Sequence, residues 1–280
     1  MTIGKRRRPS SMQKSYVIVA VVLIVIVAAL VIFAYPRHSD IGLGSGGSAE
    51  NVEALLESGR ASLEAGDYTA AIADLEAAVA DAPNNSQAHF LLGQAYNQSG
   101  DLMAAADEFR RVIELDPENA AAHHNLGVTY YQLQDPNSAV GEFKAALQID
   151  PDDPDTHYQL GATYLVLALS SPTPNAQMLE TAMDEFQNAL ELEENMPEAL
   201  IGMGNIYIQQ ADYPAAIETL TQALQQVPTS PEAHYALANA YAQNGDVAQA
   251  CETFQRFIDL NPPAAWQTEA QNAMSALGCE

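Results

Sequence analysis

Residues 89–117 read HFLLGQAYNQSGDLMAAADEFRRVIELDP, and the same residue types return 34 places further on. Taking Ser86 as the first position of a unit, His89, Leu92, Gly93 and Tyr96 fall at positions 4, 7, 8 and 11, followed by Ala105, Phe109 and Pro117. The next copy has His123, Leu126, Gly127, Tyr130, Ala139, Phe143 and Pro151. A third has His157, Leu160, Gly161 and Tyr164, then a delayed Ala182, Phe186 and Ala189. Two more run Leu200, Met203, Gly204, Tyr207, Ala216, Leu220, Pro228 and His234, Leu237, Ala238, Tyr241, Ala250, Phe254, Pro262. A degenerate first copy keeps Leu55, Gly59, Ala71, Leu75 and Pro83.

Positions 4, 7, 8 and 11 follow the i, i+3, i+4, i+7 rule and make one apolar face of a first helix. The Ala and Phe positions make the matching face of a second. Glycine at position 8 lets the two approach closely, at about 1 kcal/mol of lost helix propensity. Gly66-Asp67, Gly100-Asp101 and Gly245-Asp246 read as the turns within units, and Pro154, Pro197 and Pro231 as first residues of the next helix.

In spacing and residue type the unit resembles the tetratricopeptide repeat, whose pattern is a large residue, Leu-Gly, Tyr, Ala, Phe and Pro. Six units cover Val52–Ala264, within an expected repeat region of 49–264. The fourth carries nine extra residues, about 170–178, and Glu194 where the proline belongs. The resemblance implies an all-α, right-handed superhelical solenoid of six helix hairpins. Residues 265–280 are expected to close it as a capping helix, with Gln267, Glu269, Gln271 and Asn272 on its polar side.

In that family the second, fifth, ninth and twelfth positions of each first helix line the concave surface. The matching residues here include Leu56 and Arg60, then Phe90, Gln94 and Asn97, then His124, Val128 and Tyr131. Further along come Tyr158 and Leu165, Ile201, Asn205 and Ile208, and Tyr235 and Asn239. Amides that both donate and accept, beside aromatic contact area, suit the backbone of a protein segment. Members that hold C-terminal carboxylates use Lys and Arg in this groove, and only Arg60 qualifies.

From Ala49 onward there are 5 basic and 35 acidic residues, a net of −30, which favours neutral or basic partners. The whole chain, at −25, repels phosphate backbones, so nucleic acid is not an expected partner.

Ahead of the repeats, Tyr16–Tyr35 is unbroken apolar and aromatic sequence, with no charge between Lys14 and Arg37. Twenty residues of helix span about 30 Å, the hydrocarbon thickness of a bilayer. The expected organisation is a basic tail (1–14), a transmembrane helix (15–36) and a Gly/Ser-rich linker (37–48). The run is too long for a cleaved signal and lacks a small-x-small exit. Five basic residues precede it and one follows before Arg60, which places the N-terminus in the cytoplasm and the repeats outside it. Gly42-x-Gly44-x-x-Gly47 mimics a dinucleotide loop, but no strand precedes it and no βαβ unit follows.

Four histidines, His89, His123, His157 and His234, share one repeat position. Stacked units separate them by about 10 Å, which suits packing rather than a shared metal. Asp150, Asp152, Asp153 and Asp155 lack the calcium-loop pattern, since Asp155 and Gly161 stand where Gly and a bidentate acid belong. No nucleophile elbow, phosphate loop or His-Glu-x-x-His appears, so no enzyme activity, cofactor or small-molecule substrate is expected. Cys251 and Cys279 are the only cysteines. Helix symmetry puts residue 272 beside Cys251, and Gly278 offers a chain reversal that would close the gap; a disulfide and two free thiols both fit. These readings converge on a membrane-anchored adaptor that holds segments of other proteins, with envelope assembly or secretion suggested by fold analogy. A tethered holding chaperone and a regulatory subunit of a membrane enzyme are the alternatives.

Overall fold

The computed structural model describes residues 49–170 and 172–279; the expected tail, membrane span and linker lie outside them. Among the described residues no helix is long and apolar enough to cross a membrane. They form thirteen helices and no strand. Six antiparallel hairpins follow one another: α1 (Ala49–Glu64) with α2 (Tyr68–Asp81), α3 (Ser86–Ser99) with α4 (Leu102–Leu115), and α5 (Ala120–Gln132) with α6 (Pro136–Ile149). Then come α7 (Pro154–Leu169) with α8 (Ala176–Leu192), α9 (Pro197–Gln209) with α10 (Tyr213–Gln226), and α11 (Pro231–Asn244) with α12 (Val247–Asp259). A last helix, α13, spans Ala264–Leu277.

The turn inside a hairpin is set by one backbone conformation. Position 15 is left-handed not only at Gly66, Gly100 and Gly245 but also at Gln134 (φ 61°) and Ala211 (φ 59°). The aspartate that follows caps the second helix: Asp67, Asp101, Asp135 and Asp212 each accept the N–H of the residue three places on. Between units, Asn85, Asn119 and Ser230 cap the first helices in the same way. At Asp153, the residue ahead of α7, the carboxylate caps no backbone N–H and instead accepts from the Thr156 hydroxyl.

Inside each hairpin the position-24 side chain is fully buried: Leu75, Phe109, Phe143, Phe186, Leu220 and Phe254. In the first five hairpins its ring or branch lies against the glycine at position 8 of the partner helix, so that Gly93 faces Phe109 and Gly127 faces Phe143. Between hairpins, each second helix packs on the first helix of the next unit and first helices also touch first helices, while second helices make no comparable contacts with one another. The row of α1, α3, α5, α7, α9 and α11 is therefore the tighter, inner side of the array.

The fourth-unit insertion is mostly absorbed by helix. α7 runs to Leu169 and α8 has 17 residues, its first turn capped by Asn175, which accepts from Gln177 and Met178 N–H. At the other end, Gly278 is left-handed (φ 75°) and turns the chain so that Cys279 bonds to Cys251, with Cα atoms 5.6 Å apart.

Candidate functional site

The inner row carries a ladder of rings. At position 5, Phe90 meets Phe109 edge-on at 5.8 Å, His124 meets Phe143 at 5.9 Å, and Tyr158 meets Phe186 at 6.0 Å. Tyr235 meets Phe254 at 6.0 Å and also lies against Trp266 of α13. Each of these rings is half-buried, held from beneath by the second helix of its own hairpin. This fixes their orientation before any partner arrives, which lowers the entropic cost of contact.

Leu56 departs from the expected surface. Only 2% exposed, it sinks over the smaller Leu75 into the first core cluster and is unavailable to a ligand. Asn97 is committed to the next unit, its amide donating to Thr129 Oγ1 at 3.1 Å and Gln132 Oε1 at 2.9 Å. Asn239 donates to the Tyr235 carbonyl. Gln94 and Asn205 have no hydrogen bond among the described residues and keep their amides open, and Arg60 is exposed. Val128, Leu165, Ile201 and Ile208 are half-buried between these, packed on the core clusters. Tyr131 is 36% exposed and borders a cleft lined also by Gln132, Gln134, Pro136 and Val166. With Val166 at 43% and Leu169 at 41% exposed, this is an exposed apolar stretch near the inner row.

Electrostatics along the row are acidic. Burial raises the Tyr158 hydroxyl above the ordinary tyrosine value, and Glu198 and then Tyr131 push it the same way. Burial likewise raises Tyr235, whose hydroxyl donates to Glu269 at 3.3 Å. His124 is lowered by burial against the opposing pull of Asp153 and Asp155. Its Nδ1–H donates to Thr156 Oγ1 at 2.6 Å, and that hydroxyl passes its own proton toward Asp153.

The position-4 histidines lie elsewhere, between hairpins. His89, His123 and His157 each place Nδ1 against a glutamate of their own hairpin's second helix: Glu108 at 2.5 Å, Glu142 at 2.7 Å and Glu185 at 2.7 Å. In His89 and His157, Nε2 faces a proline carbonyl of the preceding turn at 3.0 Å. The packing role is therefore joined to a polar one. It was legible only as a repeated His-to-Glu spacing of 19 residues, widened to 28 by the insertion.

Family models described as tetratricopeptide repeat match residues 56–117, 98–154 and 231–264, and one described as TPR repeat matches 204–245. No curated protein matches in sequence. Among solved structures, a tetratricopeptide repeat protein from Parabacteroides merdae is 19% identical, covering 81% of this chain and 87% of its own, with TM-score 0.68. Pseudomonas aeruginosa PilF is 20% identical, covering 80% and 97%, with TM-score 0.66. YrrB, described as a TPR protein with an unusual peptide-binding site, is 21% identical, covering 71% and 97%, with TM-score 0.56.

Proposed function

Since the chain belongs to the tetratricopeptide repeat family, we propose that it is a non-enzymatic scaffold that holds a neutral or basic segment of a partner protein along its inner row of helices. The observation that carries this reading is the pre-set ring ladder with open amides at Gln94 and Asn205. Rings seated on the core give contact area without losing rotamer freedom, and open amides match a peptide backbone's alternating donors and acceptors. Glu198 and Glu269 beside the Tyr158 and Tyr235 rings favour cationic side chains. YrrB, named for its peptide-binding site, is a fold-level parallel.

The same reading places the scaffold outside the cytoplasm, tethered by residues 15–36. The basic tail ahead of that run supports it, as does the Cys251–Cys279 bond, since disulfides persist in oxidising compartments. Envelope assembly or secretion fits that placement.

Crosslinking pull-down of the full-length protein tests the surface. The variant combines Tyr131→Ala, Gln94→Ala and Asn205→Ala, which leave the position-5 rings and their packing in place. Loss of one dominant partner with helicity unchanged is the expected result. An unchanged partner set would move binding off the inner row, and capture of many unfolded chains by the Tyr131, Val166 and Leu169 stretch would favour a holding chaperone. Thiol labelling of single cysteines introduced in the repeats of intact cells tests topology: reaction with a membrane-impermeant reagent is expected.

A further inference from the structure

We propose that the sixth unit contains a carboxylate-binding site beside His234, distinct from the inner row. The argument comes from comparing equivalent positions of one chain. In units two, three and four the position-4 histidine is completed at Nδ1 by a glutamate carboxylate of position 23. In the sixth unit that position is Thr253, whose hydroxyl donates instead to the Gln249 carbonyl of its own helix at 2.7 Å. His234 nevertheless keeps the other half of the arrangement, with Nε2 facing the Pro228 carbonyl at 3.0 Å. The ring is only 7% exposed, and Nδ1 is a buried nitrogen with no hydrogen-bond partner among the described residues.

Where the glutamate would stand there is a cleft of about 390 Å³, walled by α10, α11 and α12 and lined by His234, Thr253, Gln249, Glu252 and Arg256 among others. None of the residues expected on the concave surface lines it. Arg256 holds Glu252 at 2.6 Å in an exposed pair, which leaves most of its five donors available to a second carboxylate.

The ligand class follows from the three sibling sites, which each set a carboxylate oxygen at 2.5–2.7 Å from this nitrogen. With Nε2–H facing Pro228, Nδ1 shares one proton with a carboxylate oxygen, whether the ring or the acid supplies it. A second oxygen reaches toward the Arg256 guanidinium. The −30 charge of the repeat region opposes anions in general, so the site selects a single short carboxylate rather than a polyanion. Its source is either a small monocarboxylate or a glutamate side chain presented by another protein.

The test follows the His234 ring nitrogens by NMR in the full-length chain during titration with sodium propionate, with sodium chloride at equal ionic strength as the control. A saturable shift of Nδ1 with propionate alone is expected. It should weaken by about tenfold or more in Thr253→Glu and in Thr253→Gln, which fill the cleft from within. Two variants guard against one of them misfolding. A blocked Gly-Glu-Gly tripeptide binding tighter than propionate would identify a protein side chain as the source, and weaker binding would identify a small molecule. No saturable shift, or the same shift in both Thr253 variants, would overturn the site.

Discussion

The phenyl ring of Phe109 lies where the β-carbon of residue 93 would stand: a Cβ built on Gly93 comes within 2.8 Å of Phe109 Cε1. That ring is fully buried and cannot step aside without disturbing the hairpin. Overpacking costs about 1–3 kcal/mol, against about 1 kcal/mol gained in helix propensity. Gly93→Ala is therefore expected to lower stability. Gly141→Ala on the exposed face of α6, where an added Cβ meets nothing within 4 Å, is expected to raise it by about 0.5–1 kcal/mol. Urea denaturation of the two variants gives opposite signs if the fit is as described.

Gln134 and Ala211 take the left-handed turn that glycine takes in three other units. An L-residue is held there at a cost of about 1–2 kcal/mol. Gln134→Gly and Ala211→Gly should each raise the melting temperature, and Gly100→Ala should lower it. A drop in either of the first two would mean that the side chain contributes something the turn geometry does not reveal.

The histidine–glutamate pairs can be broken or built. Glu185→Ala leaves His157 Nδ1 without its carboxylate, and an unsatisfied buried group costs about 1–3 kcal/mol. Thr253→Glu should do the reverse for His234, stabilising by about 1 kcal/mol. Equal destabilisation by both in thermal denaturation would show that the sixth unit is not a truncated version of its siblings.

The disulfide closes a loop with a sequence separation of 28, for which chain entropy gives about 3–4 kcal/mol. Reduction, or Cys251→Ser with Cys279→Ser, is expected to lower the melting temperature and to release α13 first. Protection of the α13 amides against hydrogen exchange should fall before that of α12. Uniform loss across both helices would contradict this order.

Burial holds the His124 imidazole below its ordinary value of 6.5, with Asp153 and Asp155 pulling the other way. The unfolded chain then takes up the proton more readily than the folded one. The contribution of neutral His124 is complete above 6.5 and is lost as pH falls through the lowered folded value. His124→Gln should flatten the stability profile below pH 6.5 relative to wild type. An NMR titration midpoint at or above 6.5 would refute it.

Hydrophobic spacing alone located the hairpins, because Leu92, Gly93 and Tyr96 repeat with Ala105 and Phe109 at a fixed distance. The turn conformation at Gln134 and Ala211 was not legible, since neither residue favours a left-handed turn and only the register of the surrounding helices imposes it. The helix caps at Asn85, Asn119 and Ser230 left a weaker trace, spread over two residue types. On the inner row, sequence position identified the surface but not its partition. Phe90 and Tyr158 are as much core as surface because a phenylalanine supports each, and Asn97 spends its amide on the next unit. Leu56 disappears into the core for want of such a ring. The Glu108, Glu142 and Glu185 partners came from the second helix of each hairpin, where acids are too common to stand out.

The covalent clasp sits at one end only. Each hairpin touches only its neighbours, so resistance to opening is inherited unit by unit along the array. The last hairpin and α13 are joined by a bond that thermal motion does not break, whereas α1 is held by packing and by the hydrogen bonds of Asn51 to Asp81 and Ser58 to Asp74. The repeat array thus has one end closed by a covalent bond and one end held by non-covalent contacts. A load applied through residue 49 is expected to open the first hairpin before it reaches the sixth, and α12 and α13 stay linked after the other helices have parted.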